Sequence, residues 1–221
     1  MELQVPYPNL ANDFYCKDGK PITSSGIYDP DDDSTRDPRL TYTLMTKNGD
    51  TYDGKVSDAW WSWNSPFQLF MRKYQNQPTT WAADNQDKYV IRYADVLLMR
   101  AEALAKKNSG KDEIMSMVIQ VRQRADVMMP KVEDAEGSNL SYDQLLDVVK
   151  HERRVELALE GTRYFDLMRW KEMDKAYERC RADGGAGSHI FDSSKGYVWP
   201  IPQSELDNNR ALVQAPEWGG K

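Results

Sequence analysis

The sequence predicts a mainly α protein in which helix hairpins of TPR-like size follow a long loop-rich region with short strands. Three observations predict it. Apolar residues recur with helical spacing from Lys88 onward. Short polar links separate the periodic runs, so neighbouring helices pack antiparallel. Residues 1–87 lack that periodicity and are rich in Pro, Gly, Asp, Asn and Thr, the composition of turns and loops.

In the first region, "YDPDDDSTRDPRL" (28–40) reads as a run of turns punctuated by Pro30 and Pro38. A segment this long without regular structure is usually functional, or packs on a scaffold built elsewhere in the chain. From Lys88, "KYVIRYADVLLMRAEALAKKN" puts Val90, Ala94, Leu97, Leu98, Ala101, Leu104 and Ala105 on one face. Asp84 or Asp87 is its expected start, and Asn108 to Gly110 its end. The second helix carries Ile114, Val118, Val121 and Ala125. The third begins at Ser141, which with Gln144 forms a capping box. Leu145, Val148, Val155 and Leu159 make its stripe, and Gly161 suits a left-handed C-cap. Thr162 caps a fourth helix with Tyr164, Leu167 and Met168 on one side. Beyond Cys180 come a glycine-rich loop, an extended segment around Pro200 and Pro202, and one helical turn. The division is therefore a loop-rich segment, 1–87, and a helical scaffold with an extended tail, 88–221. The sequence shows no strong internal repeat.

Bulk properties exclude several functions. The 221 residues carry a net charge of -6 and a pI near 5.1, whereas nucleic-acid binding needs a basic surface. No apolar run reaches the length of a membrane span. Met1 is followed by "ELQVPYPNL", which has neither the basic start nor the apolar core of a signal peptide. Cys16 and Cys180 are the only cysteines, and free thiols are expected.

The charges beside the apolar stripe are the puzzle of "ERRVELALEGTRYFDLMRWK" (152–171). Glu152, Glu156 and Glu160 are four apart, a row on the third helix. A carboxylate at the edge of a buried face is costly unless paired. Arg153, Arg154, Arg163 and Arg169 stand nearby as partners, and the planar guanidinium binds carboxylates with two bonds. One reading is a glycosidase-like carboxylate pair. The other, which we prefer, is an ion-pair network of Glu152, Arg153, Glu156, Glu160, Arg163 and Arg169 that sets how two helices meet.

Several sequence segments together resemble the SusD/RagB family of outer-membrane nutrient-binding lipoproteins. They are "NLANDFYCKDGKPI", "RDPRL" (36–40), "KYVIRYADVLLMRAEALAKKN", "VRQRA" (121–125), the 152–171 stretch, "WPIPQSEL" and the terminal "QAPEW". They occur in the family's order and span nearly the whole chain. The resemblance implies a SusD-like C-terminal domain covering 1–221 and no catalysis. It implies capture of oligosaccharides, polysaccharides or other nutrients at the cell surface, and delivery to a TonB-dependent transporter of the SusC type. It also implies a lipid anchor and an N-terminal half outside this chain, and an apolar face left open where the helical array is cut.

Other motifs point elsewhere. "GDTYDGKV" (49–56) misses the P-loop, because Val56 replaces the Mg²⁺-binding hydroxyl and Asp50 and Asp53 repel phosphate. "GGAG" (184–187) lacks the rest of a dinucleotide fingerprint. His151 and His189 form no metal set. Asp29, Asp31 and Asp33 alternate as in a calcium loop, but no Gly follows at the sixth position and Leu40 occupies the twelfth. No cofactor or metal is expected. "DAWWSWNSPF" (58–67) is the candidate ligand platform: sugar C–H faces stack on indole while loop polar groups bond hydroxyls. Trp60, Trp61 and Trp63 are its residues, and Trp81 is a further candidate. The alternative use of these tryptophans is to anchor the loop on the helices. Two rival functions remain, a TPR-like scaffold that binds protein alone and a glycosidase using the glutamate row.

Overall fold

The computed structural model describes residues 6–48, 67–74, 87–185 and 190–220. The residues form two compact units, 1–163 and 164–221. Composition changes at residue 87, yet elements from both sides of that point belong to the first unit.

The first unit opens with α1 (Pro8–Asp13), a 3-10 turn (Asp33–Thr35) and α2 (Arg39–Thr43). Proline at the start of α1 fits a helix entry, where its missing N–H costs nothing. A two-stranded antiparallel ribbon follows, β1 (Leu44–Thr46) with β2 (Leu69–Met71), in the register Leu44 to Met71.

The helical scaffold is α3 (Tyr93–Lys106), α4 (Lys111–Arg122), the short α5 (Val132–Ala135) and α6 (Tyr142–Glu156). Helix α3 packs on both α4 and α6. The α3–α4 link is Lys107–Gly110, with Gly110 in the left-handed conformation (φ 69°) before α4, where glycine carries no Cβ penalty. The Ser141–Gln144 capping box is formed at the start of α6.

Two apolar clusters build this unit. One joins Ala94, Leu98, Ala101, Ala105, Ile114, Val118, Val121, Leu145 and Val149. The other joins Phe14, Leu40, Leu44, Leu69, Val155 and Ala158. Helix α6 serves both, the first with its early turns and the second with its end. Phe14, Leu40, Leu44 and Leu69 of the loop-rich segment are thus part of the core.

Three expected boundaries move, each for an electrostatic reason. Helix α3 begins at Tyr93, because Arg92 stays extended (φ -135°, ψ 163°) to reach two carboxylates of the 152–160 row. Val90 is consequently outside the helix and 91% exposed, not on its buried face. Helix α4 ends at Arg122, and Ala125 lies exposed beyond it as Arg124 turns toward Glu156. Helix α6 ends at Glu156, before the expected Gly161 cap. Lys73 Nζ donates to the carbonyls of Glu156 and Ala158, and Arg92 Nη2 donates to Glu156. Cationic side chains therefore satisfy carbonyls that another helical turn would have used. The chain turns through Leu159 (φ 65°) and Gly161 (φ 82°).

The second unit contains α7 (Arg163–Trp170), α8 (Met173–Ala182), α9 (Gln203–Asn208) and a 3-10 turn (Pro216–Trp218). Leu167 is buried and Met168 part-buried, but Tyr164 is exposed. The tail closes on itself. Gln214 bonds both the N–H and the carbonyl of Ile201, and Trp218 Nε1 donates to the Val198 carbonyl at 2.7 Å.

Candidate functional site

Glu152 and Glu156 are buried in the protein interior, and the Glu160 side chain is nearly so. Their described partners come from distant parts of the chain, not chiefly from the neighbouring arginines. Arg39 Nη1 bridges Glu152 (2.5 Å) and Glu156 (2.9 Å), while its other edge grips Asp37. Arg122 pairs Glu152 with Nε (2.8 Å) and Glu136 with Nη2 (2.7 Å). Arg92 holds Glu156 (2.6 Å) and both oxygens of Glu160 (2.8 Å each), and Arg124 also bonds Glu156. Lys73 completes the set on Glu160 at 2.5 Å.

Three of the nearby arginines expected to pair with the row have described partners elsewhere. Arg153 reaches Asp95 at 2.8 Å, Arg154 pairs with Asp13 and Asn9, and Arg169 bonds Asp166 within α7. Arg163 is the part-buried first residue of α7.

This arrangement dictates the charge states. Burial pushes Glu152 toward its neutral form, but Arg39 and Arg122 more than reverse that and hold its pKa at about 2. Burial also opposes the Glu156 charge, and Arg39, Arg92 and Arg124 hold that carboxyl below its ordinary value. Burial works against the Arg39 charge as well, yet Glu152 and Asp37 keep the guanidinium well above its ordinary value. A glycosidase acid needs a raised pKa so that it carries a proton at neutral pH. Glu152 and Glu156 are shifted the other way and stay ionised.

Above the end of α6 lies a pocket of about 300 Å³, at the small end of the range of about 300–1,000 Å³ for ligand sites. Tyr42, Tyr74 and Tyr89 line it together with Glu156, Glu160, Lys73 and Arg92. Arg124 and Asp126 line it together, Nε to Oδ1 3.6 Å. The Tyr74 and Tyr89 rings are tilted by 51° with centroids 5.6 Å apart. Partial burial, then the nearby Glu160 charge, raises the Tyr74 phenol and keeps it neutral.

Trp60, Trp61, Trp63 and Trp81, the sequence "GDTYDGKV" and His189 lie outside the described residues. Cys16 and Cys180 are free thiols. Of the alternating aspartates, Asp29 accepts from the Asp31 N–H and Asp33 accepts from the Thr46 hydroxyl. His151 is no ligand candidate: it stacks on Tyr15 with centroids 3.9 Å apart, and its Nε2 meets the Asp13 carbonyl at 2.8 Å.

Sequence reasoning missed Arg39, Lys73, Arg92, Arg122 and Arg124 as partners, and the tyrosine pocket altogether. A signal for four of the five was present. Arg39 is in "RDPRL", Arg92 in "KYVIRYADVLL", and Arg122 and Arg124 in "VRQRA". These separate segments meet at one network.

The first unit thus combines a helix-hairpin scaffold, a buried ion-pair network and a polar pocket lined by three tyrosines. Comparison with known proteins specifies the class. A SusD family profile matches residues 3–218, and the chain belongs to that family. It is 30% identical over 189 residues to SusD-like protein P2 of Formosa agariphila, covering 82% of this chain and 36% of that protein. A structure of a SusD-like carbohydrate-binding protein from Bacteroides fragilis is also 30% identical. It superposes with a TM-score of 0.73 over 93% of this chain and 47% of its own. A SusD superfamily protein from Bacteroides vulgatus shares the fold, with a TM-score of 0.64 at 23% identity, covering 97% of this chain and 44% of its own. The chain spans less than half the length of these relatives.

Proposed function

We propose that the chain forms part of a non-catalytic glycan-binding protein of the outer-membrane surface. It passes oligosaccharides or polysaccharide segments to a TonB-dependent transporter of the SusC type. The observation that carries this reading is the likeness, in sequence and in fold, to the carbohydrate-binding protein of Bacteroides fragilis. The depressed carboxyl pKa values of Glu152 and Glu156 argue against their use as a glycosidase acid. Trp60, Trp61, Trp63 and Trp81 are the proposed indole platform for sugar rings. Among the described residues no helix is long and apolar enough to cross a membrane.

Tryptophan fluorescence of the purified chain, titrated with an oligosaccharide panel, tests the reading. A saturable change with one sugar class, weakened at least tenfold by Trp60→Ala, Trp61→Ala or Trp63→Ala, supports it. No response from a folded chain argues against glycan binding by this part of the protein. Co-purification with a TonB-dependent transporter of the SusC type tests the delivery step.

One observation favours a second reading, a protein-binding scaffold. Tyr93, Val96 and Met99 are exposed along one side of α3, an apolar stripe of the kind that marks an interface. A protein partner bound tightly by a chain that ignores every sugar would favour that reading.

A further inference from the structure

We propose that His151 is a proton-sensitive clasp. In its neutral form it holds the segment 9–16 against α6, and protonation loosens that segment before the rest of the first unit opens. The clasp is independent of any ligand.

One turn of α6 makes the contacts that dock the segment. His151 Nε2 lies 2.8 Å from the Asp13 carbonyl oxygen, and the His151 ring stacks on Tyr15 with centroids 3.9 Å apart at 24°. Three residues on, and so on the same side of the helix, Arg154 pairs with the Asp13 carboxylate and donates to Asn9 Oδ1 at 2.6 Å. Helix α1 packs on α6, and Phe14 and Cys16 just beyond it are fully buried. The Tyr15 carbonyl accepts from the Asp37 N–H at 2.8 Å. The segment therefore borders the loop that carries Arg39.

The Asp13 contact assigns the resting state of the ring. A carbonyl oxygen only accepts, so the proton of neutral His151 belongs on Nε2 and Nδ1 is bare. A second proton, on Nδ1, puts a full positive charge on a part-buried ring. The charged groups around it do not welcome that charge. On α1, the Asp13 carboxylate is already paired with Arg154. On α6, Glu152 is already paired with Arg39 and Arg122. Neither carboxylate is free to balance the new charge. Arg122 of α4 and Arg154 of α6 are cationic, and so is Arg36, which donates to the Ala11 and Phe14 carbonyls.

The linkage then has one sign. Burial outweighs the attraction of Glu152 and Asp13 and lowers the His151 pKa below its ordinary 6.5. Opening returns the ring to water, where it binds its proton at that ordinary value. The clasp is at full strength above about 6.5 and weakens as pH falls below it. Local opening of this kind precedes global unfolding wherever a segment is held by few contacts.

Hydrogen exchange of the purified chain, followed by mass spectrometry and read as protection factors, tests the clasp. Protection of 10–16 should be lower than that of α3 and α4 at each pH. It should fall at least threefold between pH 7.5 and pH 5.0. His151→Gln keeps a donor for the Asp13 carbonyl and does not titrate, so its protection in 10–16 should lose that pH dependence. Protection of 10–16 equal to that of α3, or independent of pH in the parent chain, overturns the clasp. The same fall in His151→Gln as in the parent chain overturns it as well. An NMR titration of the parent chain gives a second reading that needs no variant of His151. A ring pKa below 6.5 supports the clasp, and a value at or above 6.5 overturns it.

Discussion

Arg39 and Glu156 are the residues of the network on which three opposite charges converge. The Arg39 guanidinium is buried and contacts Asp37, Glu152 and Glu156. Removing one member of a buried ion set leaves the others unpaired, which costs about 3–5 kcal/mol. Arg39→Ala is therefore expected to lower the chemical unfolding free energy by that amount. Arg100→Ala, which removes an exposed surface pair with Glu113, should cost under about 1 kcal/mol. Equal losses in a denaturant titration would refute this ranking. The acid limb of stability also belongs to single residues. Glu152 has a pKa of about 2 in the fold against an ordinary 4.5. Its contribution is complete above about 4.5 and is lost as pH falls toward 2. Glu156 shifts in the same direction. Burial lowers His151 below 6.5, so the fold favours its neutral form and loses stability as pH falls below 6.5. A melting series from pH 7.5 to 3 should show two declines, and His151→Gln should flatten only the one nearer neutrality.

At the scale of elements, caps and breaks decide where helices stop. The Ser141 hydroxyl accepts from the Gln144 N–H at the start of α6. Ser141→Ala is expected to cost about 1 kcal/mol, read as a lower thermal midpoint with ligand affinity unchanged. Gly161 has φ 82° and open space where a Cβ would sit. The demand for glycine there is conformational and not steric, so Gly161→Ala should cost about 1–2 kcal/mol. A stability gain in that variant would show that the turn relaxes. The capping box was legible in sequence because it is local: Ser141 and Gln144 lie at the start of the helix they delimit. The ends of α3 and α6 were not, because Arg92 and Lys73 act on carbonyls and carboxylates more than sixty residues away.

At the scale of the molecule, the exposed stripe of Tyr93, Val96 and Met99 predicts self-association of the isolated chain. Light scattering after size exclusion should give a mass that rises with concentration. Val96→Glu with Met99→Glu should return it toward one chain. A strictly monomeric parent protein at high concentration would end that expectation.

The sequence by itself determined the helical class, the α3–α4 hairpin, the capping box of α6 and the family, because periodicity, caps and ordered motifs are properties of neighbouring residues. It also marked Glu152, Glu156 and Glu160 as a row that demands cations. Only the tertiary structure decided which cations. Arg39 lies 113 residues from Glu152 along the chain, and the tyrosine pocket draws its walls from three separate segments. Such partners are chosen by the way the first unit packs, and no local pattern encodes the distance between them.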